Sequence, residues 1–149
     1  MRFIETIEEP KRITLASVLK KKRALASFFK KQPVDLVFVH GALARNELKP
    51  LSDIDIAVLF RDEDYRYEDI SKIISKLQKA VGREDVDLAV LNHASPLFWM
   101  QILKNGVVVY ARSEKIFKIF RLRAIQRYLA TKHLRTTFNQ RVAEAILRD

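Results

Sequence analysis

The chain of 149 residues contains no cysteine. That absence excludes a disulfide scaffold, a zinc site built on thiolates and a thiol nucleophile. Breakers are scarce too: three glycines (Gly41, Gly82, Gly106) and four prolines (Pro10, Pro33, Pro50, Pro96). No low-complexity linker and no internal repeat is visible. No apolar run approaches the roughly 18 residues that cross a membrane. Residues 1–10 lack the continuous apolar stretch of a signal peptide. A soluble, cytoplasmic protein without a membrane partner is the expectation. Acidic residues are outnumbered, 18 Asp+Glu against 28 Lys+Arg, for a net charge of +10. With 48% hydrophobic residues, global disorder is excluded. The length suits a single domain over 1–149 with a real core.

The charge is unevenly placed. Residues 1–33 carry net +6, residues 34–111 net −3 and residues 112–149 net +7. A mildly acidic core thus lies between a basic N-terminal helical segment and a basic C-terminal helical region. Such ends suit a polyanionic partner, nucleic acid or an acidic protein surface, or are simply solvated helix faces.

Apolar spacing predicts one amphipathic helix over 13–31, with residues 20–23 (Lys-Lys-Lys-Arg) on its solvated side. Residues 34–40 (Val-Asp-Leu-Val-Phe-Val-His) read as a buried strand between Pro33 and Gly41. Residues 54–60 and 85–91 read as two more strands. Ile70, Ile73, Ile74, Leu77 and Val81 mark a helix stopped by Gly82. Ser95 and Pro96 start a short helix to about Lys104. Residues 107–110 suit a short edge strand. From Ser113 onward there is neither Gly nor Pro, which predicts one long helix or two with a bend. Its stripe runs through Phe117, Phe120, Ala124, Tyr128 and Leu129, then Leu134, Phe138, Val142 and Ala145. The order α-β-β-α-β-α-(β)-α gives an α/β or α+β domain with a small mixed sheet.

Chemistry concentrates where the second strand begins. Asp53 and Asp55 sit two apart, so the pleat points both carboxylates to one face. About 6–7 Å apart, they repel unless a cation neutralises them, and hard oxygen ligands favour Mg²⁺. Asp87 lies on another strand and joins them if the two strands pair. Three carboxylates on adjacent strands are what a two-metal phosphoryl-transfer site requires. A loop-end Asp that caps a turn is the alternative for any one of them. Just upstream, the first strand runs into His40-Gly41-Ala42-Leu43-Ala44-Arg45-Asn46. Gly41 permits close backbone approach, the amides after it can face a phosphate, and Arg45 adds a cation.

Gly41-Ala42, ten residues, then Asp53-x-Asp55 resembles the Gly-Ser-x10-Asp-x-Asp signature of the DNA polymerase β-like nucleotidyltransferases. Longer stretches are similar to the minimal nucleotidyltransferases. Val86-Asp87-Leu88, Leu91-Asn92 and Ser95-Pro96-Leu97 resemble the third-carboxylate strand and next helix of the antitoxin branch. So does the stretch from Ile102 to Tyr110 with the charged helix after it. This is the MntA-like half of HEPN–MNT toxin–antitoxin pairs. The similarity covers residues 34–135, roughly.

The resemblance implies a small mixed sheet of the polymerase β-like type flanked by helices. It implies an Mg²⁺-dependent enzyme that moves AMP from ATP to a hydroxyl and releases pyrophosphate. In the antitoxin branch the acceptor is a tyrosine of the partner HEPN ribonuclease toxin, which is thereby silenced. By position, Asp53 and Asp55 would bridge the metals and triphosphate. Asp87 would hold the catalytic metal and help deprotonate the acceptor. Gly41, Ala42, Arg45 and Ser52 would line the nucleotide. Two departures stand out: Ala42 replaces the family serine, and Asn46 stands where glycine is common. The alternatives are a non-catalytic antitoxin that masks its toxin, or an enzyme directed at tRNA or other nucleic acid.

Other conspicuous residues have plainer readings. His40 suits a packed position at a strand end, and Trp99 suits the core beside Phe98. His93 and His133 lack metal-ligand spacing. Tyr65 and Tyr67 read as surface aromatics of a charged loop over 61–69.

Overall fold

The computed structural model describes residues 13–148 as α1 (Leu15–Lys20), α2 (Lys22–Phe29), β1 (Val34–His40), α3 (Gly41–Ala44), β2 (Ile54–Phe60), α4 (Tyr67–Val81), β3 (Val86–Val90), α5 (Pro96–Asn105), β4 (Val107–Ala111) and α6 (Glu114–Leu147). The first twelve residues of the basic N-terminal segment lie outside the described residues.

The strands form a four-stranded sheet in the order β3-β2-β1-β4. β1 runs antiparallel to β2 and β4, and β2 runs parallel to β3. The sheet is therefore mixed, as the element order implies. The two central strands are the most deeply buried, as strands covered on both faces must be. Alternation assigns the faces. Val37 and Val39 of β1, with Ile54, Ile56, Val58 and Phe60 of β2, pack against residues of α1, α2 and α4. Leu36 and Phe38 of β1, with Ala57 of β2, pack against α5 and α6 through Trp99, Ile102, Phe120 and Ala124.

Local chemistry sets the helix ends. The single helix expected over 13–31 is broken at Lys21, whose amide bonds the Val18 carbonyl at 3.0 Å in a tightened turn. α4 starts at Tyr67, ahead of the first periodic residue. Its start is fixed by Asp69, whose carboxylate accepts the Arg66 amide at 2.8 Å. Gly82 ends it in the left-handed region, φ +70°. Tyr65 is not free on the surface: its ring stacks on buried Phe60 at 4.4 Å, whereas Tyr67 is exposed. Trp99 is a core residue, and its indole N–H donates to the Leu91 carbonyl at 2.6 Å.

α6 is a single unbroken helix of 34 residues, about 50 Å long. Its expected stripe divides in two. Phe120 and Ala124 are buried against Phe38 and Trp99. Leu129 (61% exposed), Leu134 (67%) and Phe138 (66%) are not covered by any described element. Residues 13–31 cannot cover them, because α1 and α2 pack on the opposite face of the sheet. Among the described residues no helix is long and apolar enough to cross a membrane.

Candidate active site

The register of the sheet gathers the acidic residues. Asp55 pairs with His40 across β1 and β2, and with Asp87 across β2 and β3. Neighbouring strands lie about 4.8 Å apart, so these three side chains form a row across the sheet. They share the phase of Phe38 and Ala57, so they lie on the face that α5 and α6 cover. Asp53 stands two residues before Asp55, on the exposed approach to β2.

The electrostatics follow from that crowding. Burial pushes the Asp55 carboxyl above the ordinary carboxylate value. Asp87 and Asp53 push it further, while His40 and Arg45 oppose the rise. His40 is half-buried, with its ring edge-on to Phe98 at 5.7 Å. Burial lowers its pKa, and the charges of Asp55 and Asp87 pull the other way. His40 is thus packed, as expected, but packed against the carboxylates.

Gly41 is the second fixed point. It opens α3 with φ +65°, a conformation that costs any residue with a Cβ. A Cβ built there would also collide with Asp55 Oδ2 and come within 3.1 Å of Asp55 Cγ. The turn therefore brings bare backbone onto the carboxylate. Asn46 takes the left-handed conformation too, at φ +55°. This gives its departure from the common glycine a physical reason, because Asn tolerates that region better than most residues. Its Oδ1 accepts the Leu15 amide at 3.3 Å.

The remaining candidates are placed less directly. Ala42 is half-buried in the first turn of α3. Arg45 is exposed and pairs with Glu47 at 2.9 Å, so phosphate would have to compete with a carboxylate for it. Ser52 closes the preceding loop: its amide bonds the Lys49 carbonyl at 3.0 Å, and its Oγ accepts the Lys49 amide at 3.3 Å. His93 and His133 are exposed on separate parts of the chain.

One residue that sequence reasoning passed over is built into the same region. Arg83 is buried, pairs with Asp85, and reaches the loop ahead of Asp53. Nothing in its sequence neighbourhood distinguishes it from the other basic residues.

The donor set is compatible with a divalent cation. Three carboxylates offer hard oxygens, and Asp55 carries the repulsion of the other two. Among the described residues no three His, Asp or Glu side chains close around one point. Mg²⁺ is commonly held by one or two carboxylates plus substrate phosphates and water. Asp53, Asp55 and Asp87 are the residues that could hold it.

Known proteins share this fold. Residues 23–115 match the family described as Polymerase beta, Nucleotidyltransferase. A Methanocaldococcus jannaschii protein assigned as a protein adenylyltransferase is 35% identical over 88 residues, which are 59% of this chain and 92% of that protein. Among solved structures, a chain of a toxin–antitoxin complex with AMP-PNP superposes with a TM-score of 0.66 at 23% identity. The match covers 88% of this chain and 99% of that one. A chain of the complex of tri-AMPylated Shewanella oneidensis HEPN toxin with MNT antitoxin gives 0.64 at 22% identity, covering 87% and 99%. At such identities the structures speak to the fold alone, and the fold is that of a minimal nucleotidyltransferase. The family match spans both β1 with its Gly41 turn and the two strands that bear Asp55 and Asp87, so the chain belongs to the polymerase β nucleotidyltransferase family and is a nucleotidyltransferase.

Proposed function

We propose that this nucleotidyltransferase uses ATP with Mg²⁺ to place AMP on a hydroxyl of a partner protein. The proposed acceptor is a tyrosine of a HEPN ribonuclease toxin, which the chain would silence as its antitoxin. The observation that carries the reading is the Asp55–Asp87 register, with the Gly41 backbone laid against Asp55. The resemblance of the sequence and the similarity to HEPN–MNT assemblies support the choice of partner.

In the reaction the acceptor oxygen bonds to the α-phosphorus of ATP. The bond to the bridging oxygen of the β-phosphate breaks, and pyrophosphate leaves. Bound divalent metal would neutralise charge on the phosphates and on the leaving group. Asp55, on β2, and Asp53, just before it, would hold the metal charge that meets the triphosphate end. Asp87 stands one strand further along and takes the proton of the acceptor hydroxyl. The turn at Gly41 lets backbone reach the phosphates where a side chain would block them. Labelled ATP, Mg²⁺ and a candidate HEPN protein test the proposal. Label on a tyrosine of that protein supports it, whereas inhibition of the toxin without label would point to masking.

Ala42 offers a graded test. The Ala42→Ser variant should bind ATP about ten-fold more tightly, because a hydrogen bond to a charged group contributes roughly 1.5–3 kcal/mol. An ATP titration reads the change. Weaker binding would show that the Gly41 loop meets phosphate differently.

The uncovered end of α6 suits a protein partner. Leu134, Phe138 and Ile146 are exposed apolar groups interleaved with Lys132, Arg141 and Arg148. Deleting residues 131–149 should leave the melting temperature within a few degrees of the full chain and remove stable partner association. Association should also slow as salt rises, since the Debye length shrinks from about 10 Å at 0.1 M to about 3 Å at 1 M. Charge reversal belongs at Lys132, Arg141 and Arg148. Arg127 lies 4.5 Å from the centre of the Trp99 ring and donates to the Ala94 carbonyl, so reversing it would disturb folding as well, and Arg135 is engaged by Tyr128 within α6. Equal association rates at low and high salt would contradict electrostatic steering.

A further inference from the structure

Arg83 is the buried charged residue of the described chain, with its side chain 6% exposed. Its Nε donates to Asp85 Oδ1 at 2.7 Å, and Nη2 pairs with Asp85 Oδ2. The same Nη2 donates to the carbonyls of Pro50 (3.1 Å) and Ser52 (2.8 Å). The Ser52 carbonyl belongs to the peptide plane immediately before Asp53. The plane immediately after Asp53 is held as well: its N–H, that of Ile54, donates to the Asp85 carbonyl at 2.8 Å. Both peptides flanking Asp53 are thus held by one Arg–Asp pair. Asp85 lies two residues before Asp87, and β3 begins between them, at Val86 opposite Ile54.

We infer that Arg83 and Asp85 are positioning residues for nucleotidyl transfer, which fix Asp53 and set its spacing to Asp55 and Asp87. The inference rests on the reading of those three carboxylates as the metal-binding residues. The loop before Asp53 needs such a device. Leu51 is 96% exposed, and Pro50 and Asp53 are exposed, so apolar burial does not hold the loop. A planar guanidinium can bind a carboxylate and two carbonyls together, and a lysine ammonium cannot match that geometry. Asp85 keeps the buried charge paired, and the hydrogen bond from Arg83 holds its carboxyl below the ordinary carboxylate value.

The test is the binding of labelled ATP by the full chain as a function of Mg²⁺ concentration, measured beside thermal melts. The Arg83→Gln variant should need roughly ten- to hundred-fold more Mg²⁺ for half-maximal ATP binding, the size of effect seen when a group that orients a metal ligand is lost. Arg83→Lys should fall between it and the wild type. Asp85→Asn, which retains the two carbonyl contacts, should shift less than Arg83→Gln. If Arg83→Gln does not fold, Arg83→Lys carries the decision. A lower melting temperature with an unchanged Mg²⁺ midpoint in the folded variants would overturn the inference and leave Arg83 a structural clamp. Asp53→Asn is the control for the underlying reading. If Asp53→Asn keeps wild-type Mg²⁺ dependence, the carboxylate site is wrong. If it loses that dependence while the Arg83 variants keep theirs, only the positioning role fails.

Discussion

The Asp55→Asn variant is expected to fold and to lose nucleotidyl transfer. The amide keeps the shape of the side chain but removes the charge that, in the proposed mechanism, would hold a cation able to stabilise the transferring phosphate by several kcal/mol. A loss of that size corresponds to about a thousandfold in rate. Stability should move the other way. Burial raises the Asp55 pKa in the folded chain, so the folded state binds that proton more tightly than the unfolded state does. The favourable contribution is present in acid and disappears as pH rises through the raised value, above which an ionised Asp55 costs stability. The amide never ionises. The melting temperature of Asp55→Asn should therefore equal or exceed that of the wild type at pH 7, and the gap should close towards pH 4. Asp53→Asn should also lose transfer, with less change in stability because Asp53 is exposed. Transfer at the wild-type rate by either purified variant would remove these carboxylates from the mechanism.

Much of the architecture was legible because its signals are local. β1 and β2 are short β-branched runs between Pro33, Gly41 and a charged loop, and they form where the pattern puts them. Gly82 and Ser95 ended and began helices by chemistry readable within four residues. The pair Asp53 and Asp55 was visible from period two alone. What was not legible depends on partners distant in sequence. The alignment of Asp87 with Asp55 is a pairing across 32 residues, and only the folded sheet fixes it. Arg83 looked like one basic residue among 28, because burial and its carbonyl partners arise only when the loop at 50–52 packs beside β3. The pairing of exposed Arg45 with Glu47 likewise depends on the turn after α3 and carries no mark in the sequence. The stripe along α6 was correct as a pattern, but a pattern cannot show how far the body of the domain extends beneath it. Only its first half meets the sheet and α5.

The Gly41→Ala variant should cost both stability and activity, and the two losses can be separated. Alanine at φ +65° pays about 1–2 kcal/mol for the left-handed backbone. Gly82 supplies the internal comparison. Its φ is +70°, yet a Cβ there would meet nothing within 4 Å. Gly82→Ala should therefore show the backbone cost alone: a lower melting temperature with transfer retained. At Gly41 the added methyl also strikes the Asp55 carboxylate, so that either α3 or the side chain of Asp55 must move. Displacing Asp55 pulls it out of line with Asp87, and the methyl would stand at the proposed phosphate site. Gly41→Ala should lose at least as much melting temperature as Gly82→Ala and, in addition, lose Mg²⁺-dependent ATP binding and transfer. Reverting the clash should restore part of this. In Gly41→Ala with Asp55→Gly the methyl has room, so stability should recover towards that of Gly82→Ala while transfer stays absent. Full transfer by Gly41→Ala would mean that the close approach of this turn to Asp55 has no part in binding the nucleotide.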